Sequence, residues 1–537
     1  MVAAGSADAR RAAIATEHQA GADAGALLLK AGGSAVDAAI AAAAAVCVVH
    51  ASSCGVGGGG FALVFEHTGR AHALDYRERA PARATQALYR DGDTSRTDRT
   101  RVGGLAVAVP GEIAGWASLH ARFGRLPLAT VLAPAVRLAR DGFALADAPH
   151  LARQVRRHRD LLAADPGLRA IFLDASGQPP GDAFLIRNPD LARTIERVAR
   201  EGTRAFYAGD TARVIAETVE ARGGVLDVDD LARYTPVWRT PLTGTFHGRR
   251  IVTFPPPGSG AIVLTILGIV GHDDLPALGR GSPALEGLLA AAMARAFADR
   301  ARHYGDPDFT EIPLDDLLAP DRLRALRQAI DEQTPALPAV GGARDDGTAH
   351  VSVIDLEGNA VSLTTTINTA FGAGVLVPGT GIILNNEMDD FVITPGTANI
   401  YGLSGTAANV IAPHKRPQSS MSPTIAVRDG RAELVVGGSG GPLIISGTTR
   451  VLLDHLTFGV PLPDAIAAPR LHDQGAPRPI VVEPGIPAAV RTRLRRGGRP
   501  VRELSPFGSV SAVGIDADGN AHGGVDRRKA GGLVVVP

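Results

Sequence analysis

The stretch Gly347-Thr348-Ala349-His350-Val351-Ser352-Val353-Ile354-Asp355 decides the fold of this chain. It follows a charged, Pro- and Gly-rich segment (335–347) and begins an alternating run that is typical of a β-strand. A threonine that opens a strand directly after a glycine marks a place where a chain can cut itself. On the local pattern alone, an ordinary strand that begins with threonine is the simpler interpretation.

The residues after the junction predict a β-hairpin. Strands 349–354 and 360–366 are separated by a turn-forming stretch, 355–359. If the hairpin is symmetric about Glu357, Thr348 lies opposite Thr366, and directly opposed side chains share one face of a sheet. A second hydroxyl is therefore expected beside the first.

Self-cleavage would explain why a threonine stands at this place. Attack of Thr348 Oγ on the Gly347 carbonyl gives an ester that water hydrolyses, which frees the α-amine of Thr348. Such an amine has a pKa of about 7.7–8.0 and can act as general base for its own hydroxyl. The sequence thus suggests a self-processing hydrolase with residues 1–347 and 348–537 as its two parts.

Composition and charge give no support for binding to nucleic acid or to a membrane. The chain has 537 residues, 45% hydrophobic content and no net charge, so nothing favours nucleic acid or an anionic membrane surface as partner. The apolar run 38–49 is too short to span a bilayer. The start has no signal-peptide core, which predicts a cytoplasmic location, or a periplasmic or secreted one if a signal was trimmed.

Two cysteines, Cys47 and Cys54, fit no disulfide framework or metal spacing and are expected to be free thiols, with a single disulfide as the alternative. Elsewhere the pattern predicts a capping box at Ser34 and Asp37, mainly helices over 126–330, strands from 348 to 436, and a helix over 443–458.

Several motifs resemble those of the γ-glutamyltranspeptidases, glutathione hydrolases of the N-terminal-nucleophile superfamily. After the junction they are Thr348-Ala-His-Val-Ser-Val, Asn385-Asn-Glu-Met-Asp-Asp-Phe391, Lys415-Arg-Pro-Gln-Ser-Ser-Met-Ser-Pro-Thr424 and Gly437-Gly-Ser-Gly-Gly441. Before it they are Gly57-Gly-Gly-Gly-Phe61, Asp75-Tyr-Arg-Glu78, Pro110-Gly111, Phe254-Pro-Pro-Pro257 and Gly305-Asp-Pro-Asp-Phe309. The resemblance covers nearly the whole chain.

The resemblance implies a role for each site residue. Cleavage after Gly347 exposes Thr348 as nucleophile, and Thr366 supports it. The other implied groups are Gly440 and Gly441 as oxyanion hole; Arg77, Ser419 and Ser420 for the α-carboxylate of a γ-glutamyl group; Asn368, Glu387 and Asp390 for its α-amine; and Tyr401 in a lid. A cation that binds in a bidentate way and acidic groups suit an amino-acid head.

The resemblance also implies the fold and the reaction. It predicts a four-layer αββα sandwich in which the two fragments stay associated. The donor would be glutathione or a related γ-glutamyl compound, and water or an amino-acid or dipeptide amine would resolve the acyl-enzyme. No metal or organic cofactor is expected. A cephalosporin-type acylase and a poly-γ-glutamate hydrolase are the alternatives within the family.

Alternatives of other classes remain. Residues 437–441 match GxSxG, so Ser439 with His455 or His472 would make a serine hydrolase, and an unprocessed relative could be a binding protein. Residues 55–60 match GxGxxG but precede a strand, which is the wrong context for a dinucleotide site. Asp389 and His350 are interpreted as structural.

Overall fold

The computed structural model describes residues 11–331, 347–475, 478–496, 498–505 and 507–537. The predicted linker, 335–347, lies outside the described residues up to position 346.

A seven-stranded antiparallel sheet forms one half of the centre of the described chain. Its strands, numbered together with those of the second sheet in chain order, are β1 (Ala12–Thr16), β2 (Gly59–Phe65), β3 (Ala71–Tyr76), β4 (Val237–Arg239), β7 (Ala349–Ile354), β8 (Ala360–Thr366) and β13 (Gly532–Val536). Their spatial order is β13-β1-β7-β8-β2-β3-β4. The strands that follow Gly347 are thus inserted among strands that precede it.

A six-stranded antiparallel sheet forms the other half of the described centre. Its strands are β5 (Leu242–Phe246), β6 (Arg249–Thr253), β9 (Thr424–Arg428), β10 (Arg431–Ser439), β11 (Ser509–Ile515) and β12 (Ala521–Val525). They follow the order β12-β11-β10-β9-β6-β5. Short strands elsewhere are Arg90–Asp91 with Thr94–Ser95, Phe143–Ala144 with Leu185–Ile186, Leu376–Val377 with Ile382–Ile383, and Leu471–His472 and Ile480–Val482 with Val501–Glu503.

Helices cover the outer faces of both sheets. In chain order they are α1 (Gln19–Lys30), α2 (Ala35–Val49), α3 (Glu112–Phe123), α4 (Leu128–Asp141), α5 (Pro149–Arg157), α6 (Arg159–Ala164), α7 (Pro166–Phe172), α8 (Pro189–Glu201), α9 (Arg204–Tyr207), α10 (Gly209–Ala221), α11 (Val228–Ala232), α12 (Gly260–Val270), α13 (Leu275–Leu278), α14 (Pro283–His303), α15 (Leu314–Leu317), α16 (Pro320–Asp331), α17 (Leu443–Phe458), α18 (Leu462–Ala467) and α19 (Ala488–Arg495). None of these helices, within the described residues, is long and apolar enough to cross a membrane.

The hydrophobic core is divided by the sheets, which confirms the αββα arrangement. One cluster lies between the sheets and contains Phe61, Phe254 and Val435. A second packs α1 to α10 against the outer face of the seven-stranded sheet, and a third packs α12, α14 and α17 against the six-stranded one. Burial of apolar surface on both faces of each sheet requires these four layers.

The predicted hairpin is confirmed with its register. In the ladder between β7 and β8, Ala349 pairs with Thr365 and Ile354 pairs with Ala360, as symmetry about Glu357 requires. The strand β2 lies on the other side of β8. The glycine run before β2 allows close backbone packing, since a Cβ at Gly58 would stand 1.9 Å from the Thr366 carbonyl oxygen.

The segment around α2 confirms one expectation and corrects another. Ser34 and Asp37 form the predicted capping box at the start of α2. The expectation that Cys47 and Cys54 are free thiols is wrong, because they form a disulfide with their Cα atoms 4.9 Å apart. A turn after the helix, in which Ser53 N donates to the His50 carbonyl, folds the chain back and brings the two side chains together.

Behind the hairpin, a buried glutamate contacts the strand β8. Glu112 begins α3, and its Oε2 accepts a hydrogen bond of 2.6 Å from Thr365 Oγ1. Burial raises the pKa of Glu112 to about 8, against a usual value of 4.5. A carboxyl group whose pKa is raised by folding stabilises the fold below its unfolded pKa, and that contribution is lost as the pH rises through the folded pKa.

We expect the substitution Glu112→Gln to flatten the dependence of stability on pH between about 5 and about 8. The wild type should lose up to roughly 4 kcal/mol relative to the variant over this window, because each pKa unit corresponds to about 1.4 kcal/mol. Thermal melting at a series of pH values measures the difference. The exposed Glu217 on α10 gives the control Glu217→Gln. Parallel pH profiles of wild type and Glu112→Gln would contradict the interpretation.

Candidate active site

The Thr348 hydroxyl lies beside a second hydroxyl, as the hairpin register predicts. Thr348 Oγ1 is 3.1 Å from Thr366 Oγ1, and both side chains are buried. The backbone N–H of Asn368 donates to Thr366 Oγ1 at 2.8 Å, which fixes the second hydroxyl in place. Since a hydroxyl can accept and donate at once, Thr366 can orient Thr348 or carry a proton to or from it.

The backbone at the Gly347-Thr348 junction is strained. Gly347 has φ 79° and Thr348 has φ 69°, a conformation that costs a β-branched residue about 1–3 kcal/mol. A hydrogen bond of 2.9 Å from Thr348 N to the Ser53 carbonyl helps to hold it. No other residue fits at 347, because a Cβ there would stand 1.8 Å from the Asn368 carbonyl oxygen.

Gly440 and Gly441 form a turn between β10 and α17. Their φ angles are 112° and 57°, so both adopt a left-handed backbone that favours glycine. Pro442 separates them from α17, whose first N–H groups, those of Leu443 and Ile444, donate to the Gly440 and Gly441 carbonyls. Gly441 lines the cleft that contains Thr348. The turn can therefore present N–H groups to a developing negative charge.

Arg77 lines the same cleft and is paired with two carboxylates. Its Nη2 is 2.6 Å from Asp390 Oδ2, its Nη1 hydrogen bonds Glu387 Oε1, and its Nε donates to the Pro417 carbonyl at 3.3 Å. Burial alone would lower the pKa of Arg77, but the carboxylates of Glu387 and Asp390 raise it above its usual value. The guanidinium is therefore a permanent positive charge, buried and fixed.

The pKa values of two acidic groups beside Arg77 are raised as well. Burial raises the pKa of Glu387 well above its usual value, although the Arg77 guanidinium opposes the shift. Burial likewise raises the pKa of Glu78 to about 7, again against the effect of Arg77. Both carboxyl groups therefore take up a proton more readily than free carboxylates do, which limits the negative charge next to Arg77. The cluster therefore suits a ligand that carries one charge of each sign.

Three further predicted residues line the same cleft. Ser419 is held by its backbone N–H, which donates to the Pro257 carbonyl at 2.7 Å, and its Oγ accepts from Met421 N at 3.1 Å. Ser420 follows it in the wall of the cleft. Asn368 Nδ2 donates to the Asn386 carbonyl at 2.9 Å, and Asn368 itself has φ 74°.

Tyr401 also lines the cleft. It is buried, its hydroxyl donates to the Asn368 carbonyl at 3.0 Å, and its ring packs against Gly441. The neighbouring Asp389 is directed to other partners: it accepts from Thr100 Oγ1 at 2.6 Å and from Ile400 N at 2.8 Å. Asp389 therefore anchors the segment that contains Ile400 and Tyr401.

All the predicted side chains thus line one small cleft. It is lined by Arg77, Thr348, Thr366, Asn368, Glu387, Asp390, Tyr401, Ser419, Ser420, Met421, Gly441 and Ile444. Gly440 is adjacent to this lining in the chain. Among the described residues, no group of three or more His, Cys, Asp or Glu side chains is arranged to hold a metal ion.

The geometry disfavours the serine-hydrolase alternative. Ser439 Oγ is 2.8 Å from Lys529 Nζ. His455 Nδ1 hydrogen bonds the Val460 carbonyl, and His472 contacts Ser446 and Gln474, so neither ring is available to Ser439. His350 is packed against Thr364 and Ser352, and burial lowers its pKa to about 3.

Two residues at the junction had no local signal in the sequence. Ser53 supplies the carbonyl that binds Thr348 N, and Lys529 Nζ is 3.2 Å from the Gly347 carbonyl oxygen. Ser53 is nearly three hundred residues from the junction, and Lys529 is separated from Gly347 by 182 positions. Only the fold brings them there.

Comparison with known proteins gives a consistent family. Residues 21–536 match the family model described as gamma-glutamyltranspeptidase. The chain is 37% identical to a glutathione hydrolase proenzyme of Escherichia coli strain K12, over 97% of this chain and 90% of that protein. It is 36% identical to an acylase ACY 1 proenzyme of Pseudomonas sp. strain SE83, over 98% of this chain and 94% of the other.

Among solved structures, the crystal structure of a cephalosporin acylase from Bacillus halodurans matches with a TM-score of 0.86 and 27% identity, over 99% of both chains. The matches in sequence and in structure extend over nearly the full length. The chain belongs to the gamma-glutamyltranspeptidase family.

Proposed function

We propose that this chain is a γ-glutamyl transferase and hydrolase that matures by cleavage between Gly347 and Thr348. One observation carries the proposal: a single cleft is lined by both a paired hydroxyl nucleophile and the Arg77 cluster. The names of its relatives, glutathione hydrolase and acylase proenzymes, support both the transfer of an acyl group and the processing of a precursor.

In the proposed cycle, cleavage frees the α-amine of Thr348. An amine with a pKa of about 7.7–8.0 accepts the hydroxyl proton near neutral pH, so Thr348 Oγ1 attacks the γ-carbonyl carbon of the donor. Backbone N–H groups of Gly440 and Gly441 stabilise the oxyanion, an interaction worth about 3–4 kcal/mol in other acyl-transfer enzymes. The ammonium formed at the first step then protonates the leaving amine.

The donor is recognised when its charged groups replace the ion pairs that Arg77 forms within the protein. Arg77 forms ion pairs with both Glu387 and Asp390. An α-amino-acid head replaces those contacts, with its carboxylate on Arg77 and its ammonium on the two acids, while Ser419, Ser420 and Asn368 add hydrogen bonds. Because the head group is a zwitterion, the exchange keeps the buried cluster close to neutral, which limits the desolvation cost.

Water or an amine completes the cycle. Water attacks the Thr348 ester and releases glutamate, whereas an amino-acid or dipeptide amine gives the transpeptidation product. No cofactor takes part in this scheme. The fragments 1–347 and 348–537 remain associated, because strands β7 and β8 are hydrogen bonded between β1 and β2.

A second candidate function is that of an acylase for donors without an α-amine, a class that includes glutaryl amides. The similarity to proteins named acylases favours it. The buried acids Glu387 and Asp390 favour the γ-glutamyl donor instead, because an acyl group without an ammonium leaves them facing only Arg77.

We expect Thr348→Ala to abolish both maturation and turnover. The variant should remain a single chain in intact mass spectrometry, and release of p-nitroaniline from γ-glutamyl-p-nitroanilide should fall by at least about 10⁴-fold, since loss of a nucleophile has effects of this size in other hydrolases. Thr348→Ser, which keeps a hydroxyl, is the control and should still mature. Turnover by an uncleaved Thr348→Ala chain at a rate near that of wild type would refute the assignment.

We expect Asp390→Asn to impair the use of donors with an α-amine selectively. The value of kcat/KM for γ-glutamyl-p-nitroanilide should fall by about 10- to 100-fold, because a hydrogen bond to a charged group is worth about 1.5–3 kcal/mol. The value for glutaryl-p-nitroanilide should change much less, since that compound has no ammonium to bind. The ratio of the two values is the measurement.

Asp389→Asn is the matched control, because Asp389 lies one position away but binds Thr100 and Ile400. It should change both donors alike. An unaltered donor ratio in Asp390→Asn would remove Asp390 from amine recognition. A wild-type preference for the glutaryl compound would favour the acylase function instead.

A further inference from the structure

A buried lysine contacts the bond that is proposed to be cut. Lys529 is fully buried, and its Nζ is 3.2 Å from the carbonyl oxygen of Gly347 and 3.5 Å from that of Thr348. The same ammonium donates to Ser439 Oγ at 2.8 Å and is 3.6 Å from Glu17 Oε2. Its donors are thus directed at the junction and at two side chains that hold the ammonium beside it.

The turn that contains Lys529 is held in place by ion pairs of Asp526 and Arg528. Asp526, at its start, is 2.7 Å from Arg470 Nη2 and accepts from Val510 N at 3.1 Å. Arg528 is paired with Glu483 at 2.6 Å. The turn closes through a hydrogen bond from Gly531 N to the Asp526 carbonyl. Lys529 therefore points inward from a rigid support.

Two buried histidines interact electrostatically with Lys529. The rings of His50 and His150 lie close to each other and to Ser53, but burial lowers the pKa of His50 well below its usual value and does the same for His150. Both imidazoles are therefore uncharged. Glu17 Oε2, 3.6 Å from Lys529 Nζ, places a carboxyl group beside this nitrogen.

We propose that Lys529 is a catalytic residue of the self-cleavage reaction, in which its ammonium stabilises the oxyanion that forms on the Gly347 carbonyl. This inference rests on the proposed function, since it assumes cleavage between Gly347 and Thr348. A neutral carbonyl accepts a hydrogen bond of ordinary strength, whereas a charge-assisted bond to an oxyanion is shorter and about twice as strong. The interaction thus grows in the transition state, which is what accelerates a reaction.

The reaction balances without an external reagent other than water. A bond forms between Thr348 Oγ1 and the carbonyl carbon of Gly347, the C–N bond of the peptide breaks, and the hydroxyl proton moves to the departing nitrogen. Water then adds to the ester carbon, the bond to Oγ1 breaks, and one proton returns to Thr348 Oγ1. The products are the Gly347 carboxylate, the released proton and a free Thr348 amine. Lys529 stays protonated in both steps.

The test is the rate of maturation of the full chain. Wild type and Lys529→Met are made by cell-free translation, and intact mass spectrometry follows the conversion of the precursor into fragments 1–347 and 348–537. We expect the first-order rate constant of Lys529→Met to be lower by about 10²–10³-fold, the effect of removing one oxyanion donor in other enzymes. Lys529→Arg, which keeps the charge, should mature faster than Lys529→Met.

Lys415→Met is the matched control, because Lys415 is also a buried lysine that donates to a backbone carbonyl, that of Val410 at 3.2 Å, but away from the junction. It should mature at the rate of wild type. Melting of Thr348→Ala with and without Lys529→Met reports any loss of folding apart from cleavage. If methionine is not tolerated, Lys529→Gln, which keeps a donor without the charge, takes its place.

The outcomes separate the two proposals. Maturation of Lys529→Met, or of Lys529→Gln where it replaces it, at the rate of wild type would overturn the role of Lys529 and leave the proposed function intact. A wild-type chain that is never cut at Gly347-Thr348 would overturn the proposed function itself. A slow Lys529 variant beside a normal Lys415→Met supports the inference.

Discussion

The active centre depends on one constraint, the register of the hairpin formed by β7 and β8. Because Ala349 pairs with Thr365, the hydroxyls of Thr348 and Thr366 stand 3.1 Å apart at the mouth of the hairpin. A slip of one residue would turn every side chain of a strand to the opposite face. Burial of both faces of this sheet excludes such a slip, so the same core that stabilises the fold also sets the geometry of the hydroxyl pair.

Charge compensation is the second organising feature of the centre. Arg77 would be costly to bury alone, and so would Glu387. Each is stabilised by the other, while burial raises the pKa values of Glu78 and Glu387. The consequence is a buried polar site in which positive and negative groups are held side by side.

The sequence alone could predict the hairpin, its register, the capping box at Ser34 and most helices, because these follow from local periodicity and turn chemistry. It also led, through the motifs, to side chains that the fold brings into one cleft. It could not predict the contacts of Lys529 or Ser53 with the junction, since they depend on the packing of distant segments. The disulfide between Cys47 and Cys54 was missed for a related reason: its formation depends on a turn after α2, which no cysteine spacing reports.

The order of strands in the seven-stranded sheet has a consequence for the lifetime of the enzyme. Strands from before and after the junction alternate in the order β13-β1-β7-β8-β2, so backbone hydrogen bonds join the two parts along several edges. The uncut chain folds as one molecule, in a reaction independent of concentration. Once cut and unfolded, the parts must find each other in solution, and refolding becomes second order. After maturation, unfolding is therefore no longer readily reversible. The lifetime of the folded enzyme then depends on its unfolding rate, that is, on the height of the barrier to unfolding.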